Sequence, residues 1–318
     1  MKSFLYSVFT FLLAATCCWN CRPSTREASG TDVRPNIVYI LADDLGYGDV
    51  SCYYSEGKIR TPNIDRLASQ GMRFTDAHSP SSVCTPTRYA ILTGQYPWRS
   101  RLSQGVLRGY GRSLIEANTP TVGRLLQQHG YHTAVVGKWH LGLDWKVKEG
   151  REGALNPGQY GVRDNGVVTD MHAEDIDFQV PPAEGPLSRG FDYSYILPAS
   201  LDMEPYCYLE NDTLTEIPDG HTPGNDLNTG YTGAFWRPGR IAPSFRFDQV
   251  LVNFTDKAVD YLASRASSRE PFFLYLPLAA PHTPWVPTAD FEGQSAVGAY
   301  GDFVEMVDHS VGKVIRAL

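Results

Sequence analysis

Hydrophobic and polar positions along this chain alternate between two grammars. Asn36-Ile-Val-Tyr-Ile-Leu41 is an unbroken apolar run rich in β-formers, which predicts a strand buried on both faces. Pro62 to Gln70 then reads as a helix, with Thr61 as its cap, Pro62 in the first turn and Gly71 as the stop. Thr119 to Gln128 repeats that pattern, with Thr119 as the cap and Gly130 beyond its end. A short strand is expected at Thr133 to Val136, a long amphipathic helix at Phe247 to Ser264, and a second buried strand at Pro271 to Leu278. From Gly301 to Leu318, Phe303, Met306, Val307, Val311 and Val314 recur at helical spacing. Strands alternating with helices imply crossover connections, and therefore an α/β fold with a mainly parallel central sheet and helices on both faces. Between about Leu143 and Tyr206 the pattern fails in Gly, Pro and charge, and this stretch reads as a large loop insertion near the active face. The chain stops at Leu318 inside a helix, where the alternation calls for another strand, so the sequence reads as lacking its C-terminal part.

Composition narrows the class. With 42% hydrophobic, 12% aromatic and only 20% charged residues, 318 residues can bury a substantial core, and global disorder is excluded. A net charge of −7 without a basic run argues against nucleic acid as the partner. Lys2 followed by the apolar stretch Phe4 to Ala15 is too short to span a bilayer and suits a signal-peptide core, so residues 1–16 are expected to be a signal peptide and 17–33 a linker. No transmembrane helix is expected. Export places the protein in the periplasm or outside the cell, and Cys17 or Cys18 after small residues leaves a lipid anchor open. Beyond the leader only Cys52, Cys84 and Cys207 remain, at most one disulfide, so a disulfide scaffold is excluded.

In open α/β sheets ligands bind at the carboxyl ends of the strands. After Leu41 come Asp43 and Asp44; after Val136 come Lys138 and His140; after Leu278 comes His282. Two adjoining carboxylates suit a hard cation, Ca²⁺ or Mg²⁺, although an acidic turn is the plainer explanation of such a pair; Gly46 and Gly48 favour the metal. In Ser81-Ser-Val-Cys84-Thr-Pro86-Thr-Arg88, Pro86 favours a helix start, which puts Cys84 at a helix N-terminus and Arg88 one turn on, a pairing suited to a tetrahedral oxyanion. A buried cysteine beside a surface arginine fits the same residues. Lys138 and His140 alternate along extended backbone and so point the same way, available to an anionic substrate and to proton exchange; the alternative is a core Trp139 with solvated neighbours. His132, His172, His221 and His309 read as ordinary surface residues.

Taken together these residues resemble type I sulfatases. Arg34-Pro-Asn-Ile-Val38, Asp43-Asp-Leu-Gly-Tyr-Gly48 and Thr61-Pro-Asn-Ile-Asp-Arg-Leu-Ala68 look like the opening of that family. Cys84-Thr-Pro-Thr-Arg88 running into Ala90-Ile-Leu-Thr-Gly94 looks like its signature, and Gly137-Lys-Trp-His-Leu-Gly142, Arg189-Gly-Phe-Asp192 and Pro281-His-Thr-Pro284 follow in the family's order. The resemblance covers residues 34–318, read as one catalytic domain, and implies an alkaline-phosphatase-like fold. It also implies a formylglycine, made from Cys84 by a formylglycine-generating enzyme, whose hydrated form attacks sulfur, displaces the alcohol and then expels sulfate as the aldehyde re-forms. By the same resemblance Asp43, Asp44 and the modified Cys84 bind Ca²⁺, with Mg²⁺ as the alternative cation. Arg88 holds the nucleophile's oxygen, His140 accepts the diol proton, and Lys138 and His282 contact sulfate. The stretch Ser200-Leu-Asp202-Met-Glu-Pro205 resembles one that lines the substrate pocket in some subgroups, which makes Asp202 a substrate-binding candidate. The family's later Asp-Asn or Asp-His metal pair does not follow His309, which puts metal affinity and the activity of this chain alone in question. The expectation is thus an exported sulfuric ester hydrolase acting on a sulfated carbohydrate or aryl sulfate, with sugar stacking on Trp145, Tyr206, Tyr208, Trp236 or Trp285. Its rivals are a phosphate or phosphonate ester hydrolase of the same superfamily and an inactive sulfatase-like fragment that binds without turnover.

Overall fold

The computed structural model describes residues 34–102, 104–152, 163–164, 167–168, 172–225 and 233–318. The expected leader and linker, residues 1–33, lie outside the described residues. Everything below belongs to the compact unit Asn36–Leu318. Its centre is a six-stranded sheet made of β1 (Ile37–Leu41), β2 (His132–Lys138), β3 (Tyr193–Leu197), β4 (Leu209–Glu210), β5 (Thr213–Leu214) and, after a separate small ladder of β6 (Gly220–Thr222) with β7 (Gly239–Ile241), β8 (Phe272–Pro277). The order across the sheet is β1-β8-β2-β3-β4-β5, and the first four strands are parallel. Leu41 pairs with Pro277 and Lys138 with Leu197, so these four strands deliver their carboxyl ends to one edge.

The helices are α1 (Pro62–Gln70), α2 (Cys84–Thr93), α3 (Val122–Gln128), α4 (Val250–Arg265) and α5 (Ala299–Ala317). Side chains of β8 alternate between two helical layers. Phe272 meets Tyr261 of α4 edge-on at 6.0 Å, whereas Tyr275, on the other face, lies within reach of the charge of Arg88 on α2. Both faces are therefore covered, as the alternation of elements requires, and β2 and β8 are buried along almost their whole length.

Several local expectations need correction. β1 was expected to be buried on both faces, but it is the edge strand among the described residues and Tyr39 is exposed. Thr61 precedes α1 without capping it; its hydroxyl bonds to Ser51 and Asp65. The first amides of α1 are instead taken by the Asp308 carboxylate of α5, at 3.0 Å to Asn63 N and 2.8 Å to Ile64 N. A distant carboxylate does the work of a local cap, and sequence-local rules do not find it. The helix expected from Thr119 begins at Val122, because Thr121 rather than Thr119 accepts the Arg124 amide, at 3.1 Å. The stretch 143–206 is not loop throughout: Tyr193–Leu197 is a buried parallel strand, short enough that flanking Gly and Pro hid it. Nor is His132 a plain surface residue, since its Nδ1 is 3.0 Å from the Tyr261 hydroxyl.

Gly137 shows how tightly the strand ends are set. Its φ is 141°, and a Cβ there would lie 2.1 Å from the carbonyl oxygen of Pro277 on the neighbouring strand. Gly137→Ala should therefore destabilise the fold by roughly 2–4 kcal/mol, a value that urea unfolding would measure. Loss below ~0.5 kcal/mol would mean that β2 and β8 can separate without cost.

Candidate active site

All four parallel strand ends contribute to one constellation. Asp43 follows β1, its amide bonding Ala280 O at 2.9 Å after β8, so the two strand ends are tied together. Lys138 closes β2 and His140 lies two residues beyond. After β3 come Ser200 and Asp202, and after β8 comes His282. α2 adds Cys84 in its first turn and Arg88 one turn later.

Buried charges hold this edge together. Asp43, Arg88 and Lys138 are each at most 5% exposed. Asp43 takes Lys138 Nζ at 2.5 Å on one oxygen and Arg88 Nη2 at 3.1 Å on the other. Burial works against the Asp43 carboxylate, but Lys138, Arg88 and His282 outweigh it and hold its pKa well below the ordinary range. Burial likewise opposes both cations, and Asp43 more than compensates, raising Lys138 and Arg88. Arg88 also donates to Lys138 O at 2.6 Å and Leu278 O at 3.1 Å, so a single guanidinium clamps the ends of β2 and β8. Lys138 donates a second bond to Ser200 Oγ at 2.9 Å.

The alternatives left open by the sequence resolve at particular atoms. Trp139 is a core residue, yet its neighbours Lys138 and His140 are buried as well and not solvated. They do not continue one extended run, because His140 has φ 54° in the left-handed region. Its backbone is fixed by Thr85 Oγ1, which donates to His140 O at 2.9 Å and accepts from Leu107 N at 3.2 Å. The His140 ring meets Leu107 O at 2.8 Å through Nε2, and since a carbonyl only accepts, Nε2 carries the proton. Nδ1 is then a buried lone pair without a partner. Burial, reinforced by Lys138 and Arg88, pushes the His140 pKa down to about 3, so the ring is neutral near pH 7. Arg88 is buried, not a surface residue beside a buried cysteine.

Cys84 is partly exposed and lines a cavity of about 400 Å³. Asp44, Asp202 and His282 share its wall, while Val106, Trp285 and Tyr300 form apolar parts of the lining. His282 Nε2 stands 3.6 Å from Asp44 Oδ2. A second cavity of about 280 Å³ reaches Cys84 from the other side, past Asp43, Asp44 and Ser81. The Cys84 thiol pKa is raised, first by burial and then by Asp43, against the opposing pull of Lys138 and Arg88. It is therefore a protonated thiol near neutral pH, poorly suited to act as a thiolate nucleophile.

Sequence reasoning missed Ser200 and Arg237. Ser200 would have followed from the strand-end rule had β3 been recognised. Arg237, whose Nη1 pairs with Asp202 Oδ2, lies in a loop with no local signal. Of the aromatic residues expected to stack on sugar, Trp145, Tyr206 and Tyr208 are buried in the core and Trp236 stacks on Phe247 at 4.3 Å, leaving Trp285 at the cavity. Cys52, Cys84 and Cys207 are all free thiols, so the one disulfide their number allowed is not formed.

The donor set does not by itself fit a calcium ion. Calcium takes about six to eight oxygen ligands. Among the described residues no group of three His, Cys, Asp or Glu side chains is placed to hold a metal, and both Asp43 oxygens face buried cations. Asp44 keeps a half-exposed carboxylate, with the His282 ring 3.6 Å away.

Residues 35–318 match the family model described as Sulfatase. The chain belongs to the sulfatase family. This sulfatase chain is 33% identical to an N-acetylgalactosamine-6-O-sulfatase of Bacteroides thetaiotaomicron, over 94% of its own length and 58% of the relative's. It is 33% identical to human arylsulfatase A, over 89% of its length and 48% of that protein's. It therefore spans about half the length of the curated relatives it matches. Among solved structures, a B. thetaiotaomicron protein from work on the metabolism of multiple glycosaminoglycans superposes with a TM-score of 0.70 at 31% identity, covering 90% of this chain and 59% of that one. A phosphonate monoester hydrolase of Agrobacterium radiobacter, at 18% identity and a TM-score of 0.50, shares the fold alone. The α/β architecture with a mostly parallel sheet and membership of the sulfatase family are thus established together. No helix among the described residues is long and apolar enough to cross a membrane.

Proposed function

We propose that this sulfatase releases sulfate from a sulfated carbohydrate or aryl sulfate at the Cys84 cavity, with Cys84 converted to formylglycine by a maturing enzyme. The observation that carries the reading is the convergence of Cys84, Asp202 and His282 on one cavity, backed by the buried Arg88–Asp43–Lys138 cluster. A hydrated aldehyde at Cys84 supplies a nucleophilic oxygen together with a second hydroxyl able to expel sulfate, which neither a protonated thiol nor a serine-type alcohol offers. Arg88 and Lys138 place positive charge within electrostatic reach of Cys84, where negative charge builds up on the sulfuryl oxygens. Asp43 fixes both cations without solvent relaxation. His140, neutral and with an unpartnered Nδ1, accepts the proton of the second hydroxyl. His282, at the cavity wall, hydrogen-bonds the sulfate and assists the departing alcohol.

Calcium, or magnesium in its place, belongs to this proposal only in part. Asp43, Asp44 and the modified Cys84 would supply some of the ligands, and the others would come from outside the described residues. We assign residues 34–318 to the catalytic domain and residues 1–16 to a signal peptide, with export to the periplasm or beyond and Cys17 or Cys18 available for lipid attachment. The relative named for N-acetylgalactosamine 6-O-sulfate supports a sugar substrate over an aryl one.

Hydrolysis of nitrophenyl sulfate in isotopically labelled water tests the chemistry. Label in the released sulfate and none in the phenol is the expected result, because sulfur rather than carbon is attacked. Label in the phenol would overturn the reading.

A further inference from the structure

The cavity carries a second polar element that the sulfate chemistry does not use. Asp202 is 3% exposed yet lines the cavity, and its Oδ2 pairs with Nη1 of Arg237. The Arg237 backbone amide donates to Asp202 O at 3.2 Å, so the loop bearing Arg237 is pinned to the end of β3. Asp202 Oδ1 is buried and makes no hydrogen bond of ordinary geometry. Burying an ion pair costs free energy that a merely structural strut does not require, since apolar packing would hold the loop as well.

The lining of the same cavity also has apolar members. Trp285 and Tyr300 lie with ring centroids 5.2 Å apart, and Val106 and Met203 line the same cavity. The cavity thus offers apolar rings together with an arginine donor beside a carboxylate acceptor. A flat aryl group would satisfy the first and leave the second unpaired. A pyranose ring has an apolar C–H face and a rim of hydroxyl groups, each both donor and acceptor, and it satisfies both.

We propose that Arg237 is a specificity-determining residue, held in place by Asp202, and that the pair grips two neighbouring hydroxyl groups of the sugar ring that carries the sulfate ester. The guanidinium donates to one ring oxygen while Asp202 accepts from the adjacent hydroxyl. This rests on the sulfatase reading above and narrows it to a carbohydrate substrate with free hydroxyl groups near the ester.

The test uses the matured protein with a panel of galactose monosulfates, one for each ring position, alongside nitrophenyl sulfate. Wild-type protein is expected to turn over at least one sugar sulfate with kcat/KM above that for nitrophenyl sulfate. Arg237→Met should lower the ratio of sugar to aryl kcat/KM roughly 10- to 100-fold, the range for a lost charged hydrogen bond, mainly through KM. Arg237→Lys, which keeps the charge and pins the same loop, should fall between the two. Equal losses on both substrates in Arg237→Met and Arg237→Lys would reduce Arg237 to a structural strut and overturn the proposal. Wild-type protein that hydrolyses nitrophenyl sulfate and no sugar sulfate would also overturn it, with the sulfatase reading intact. Absence of sulfate release from every ester would instead bring down the sulfatase reading beneath it.

Discussion

Replacing Cys84 by alanine is expected to lower kcat/KM for any sulfate ester on the order of 10⁴-fold or more, because it removes the group proposed to become the nucleophile. The fold should survive, since Cys84 is partly exposed, its pKa is set by neighbours rather than by a partner it supports, and it begins a helix whose position is fixed by Thr85 and Arg88. Unfolding midpoints of the variant and the parent should agree closely. Cys84→Ser provides a sharper outcome. A serine oxygen can attack sulfur and release the alcohol once, but it has no second hydroxyl to expel sulfate. One equivalent of alcohol should appear, and the peptide containing residue 84 should gain one SO₃ group by mass. Continued turnover by Cys84→Ser would show that the second hydroxyl is dispensable. Retention of activity in Cys84→Ala would remove Cys84 from the chemistry altogether.

The largest effect on stability is expected at Asp43. Asp43→Ala leaves Arg88 and Lys138 buried with their shared carboxylate gone, and breaking a buried charge cluster in this way costs about 3–5 kcal/mol. Asp43→Asn keeps the shape and should cost less, which separates lost charge from lost packing. The pH dependence carries a sign. Asp43 has a folded pKa depressed below its unfolded value, so the stability it contributes is present above the ordinary carboxylate pKa and is lost as pH falls below about 4. His140, held neutral down to about 3, adds to the same loss, because the unfolded imidazole takes up a proton from roughly pH 6.5 downwards while the folded one does not. Unfolding free energy should therefore fall steadily on acidification, and Asp43→Asn should flatten the part of the curve below pH ~4. A parent protein whose stability is unchanged between about pH 7 and pH 4 would contradict the His140 assignment, and one whose stability does not fall further below about pH 4 would contradict that of Asp43.

Much of this was legible in the residue order because it depends on local chemistry. Apolar runs and helix punctuation located β1, β2, β8, α1, α4 and α5 to within a few residues, and the strand-end rule alone brought Asp43, Lys138, His140 and His282 to one edge. What stayed hidden was non-local. The cap of α1 comes from Asp308. Strand β3 sits inside a stretch whose glycines and prolines mask a five-residue strand with four residues buried, and with it went Ser200. Arg237 meets Asp202 only because two loops fold over the same cavity, and no spacing in the chain encodes that. The sequence also could not show that the two cations of the site are held by Asp43. A carboxylate expected from the family resemblance to face a metal faces Lys138 and Arg88 among the described residues.

The central claim is that Cys84 acts as a formylglycine, and the mass of the tryptic peptide Phe74–Arg88 tests it most directly. The protein should be isolated from its own host or co-produced with a formylglycine-generating enzyme, in a preparation that releases sulfate. The account predicts an aldehyde in place of the thiol in that peptide, in proportion to the activity. An unmodified cysteine throughout an active preparation would contradict it.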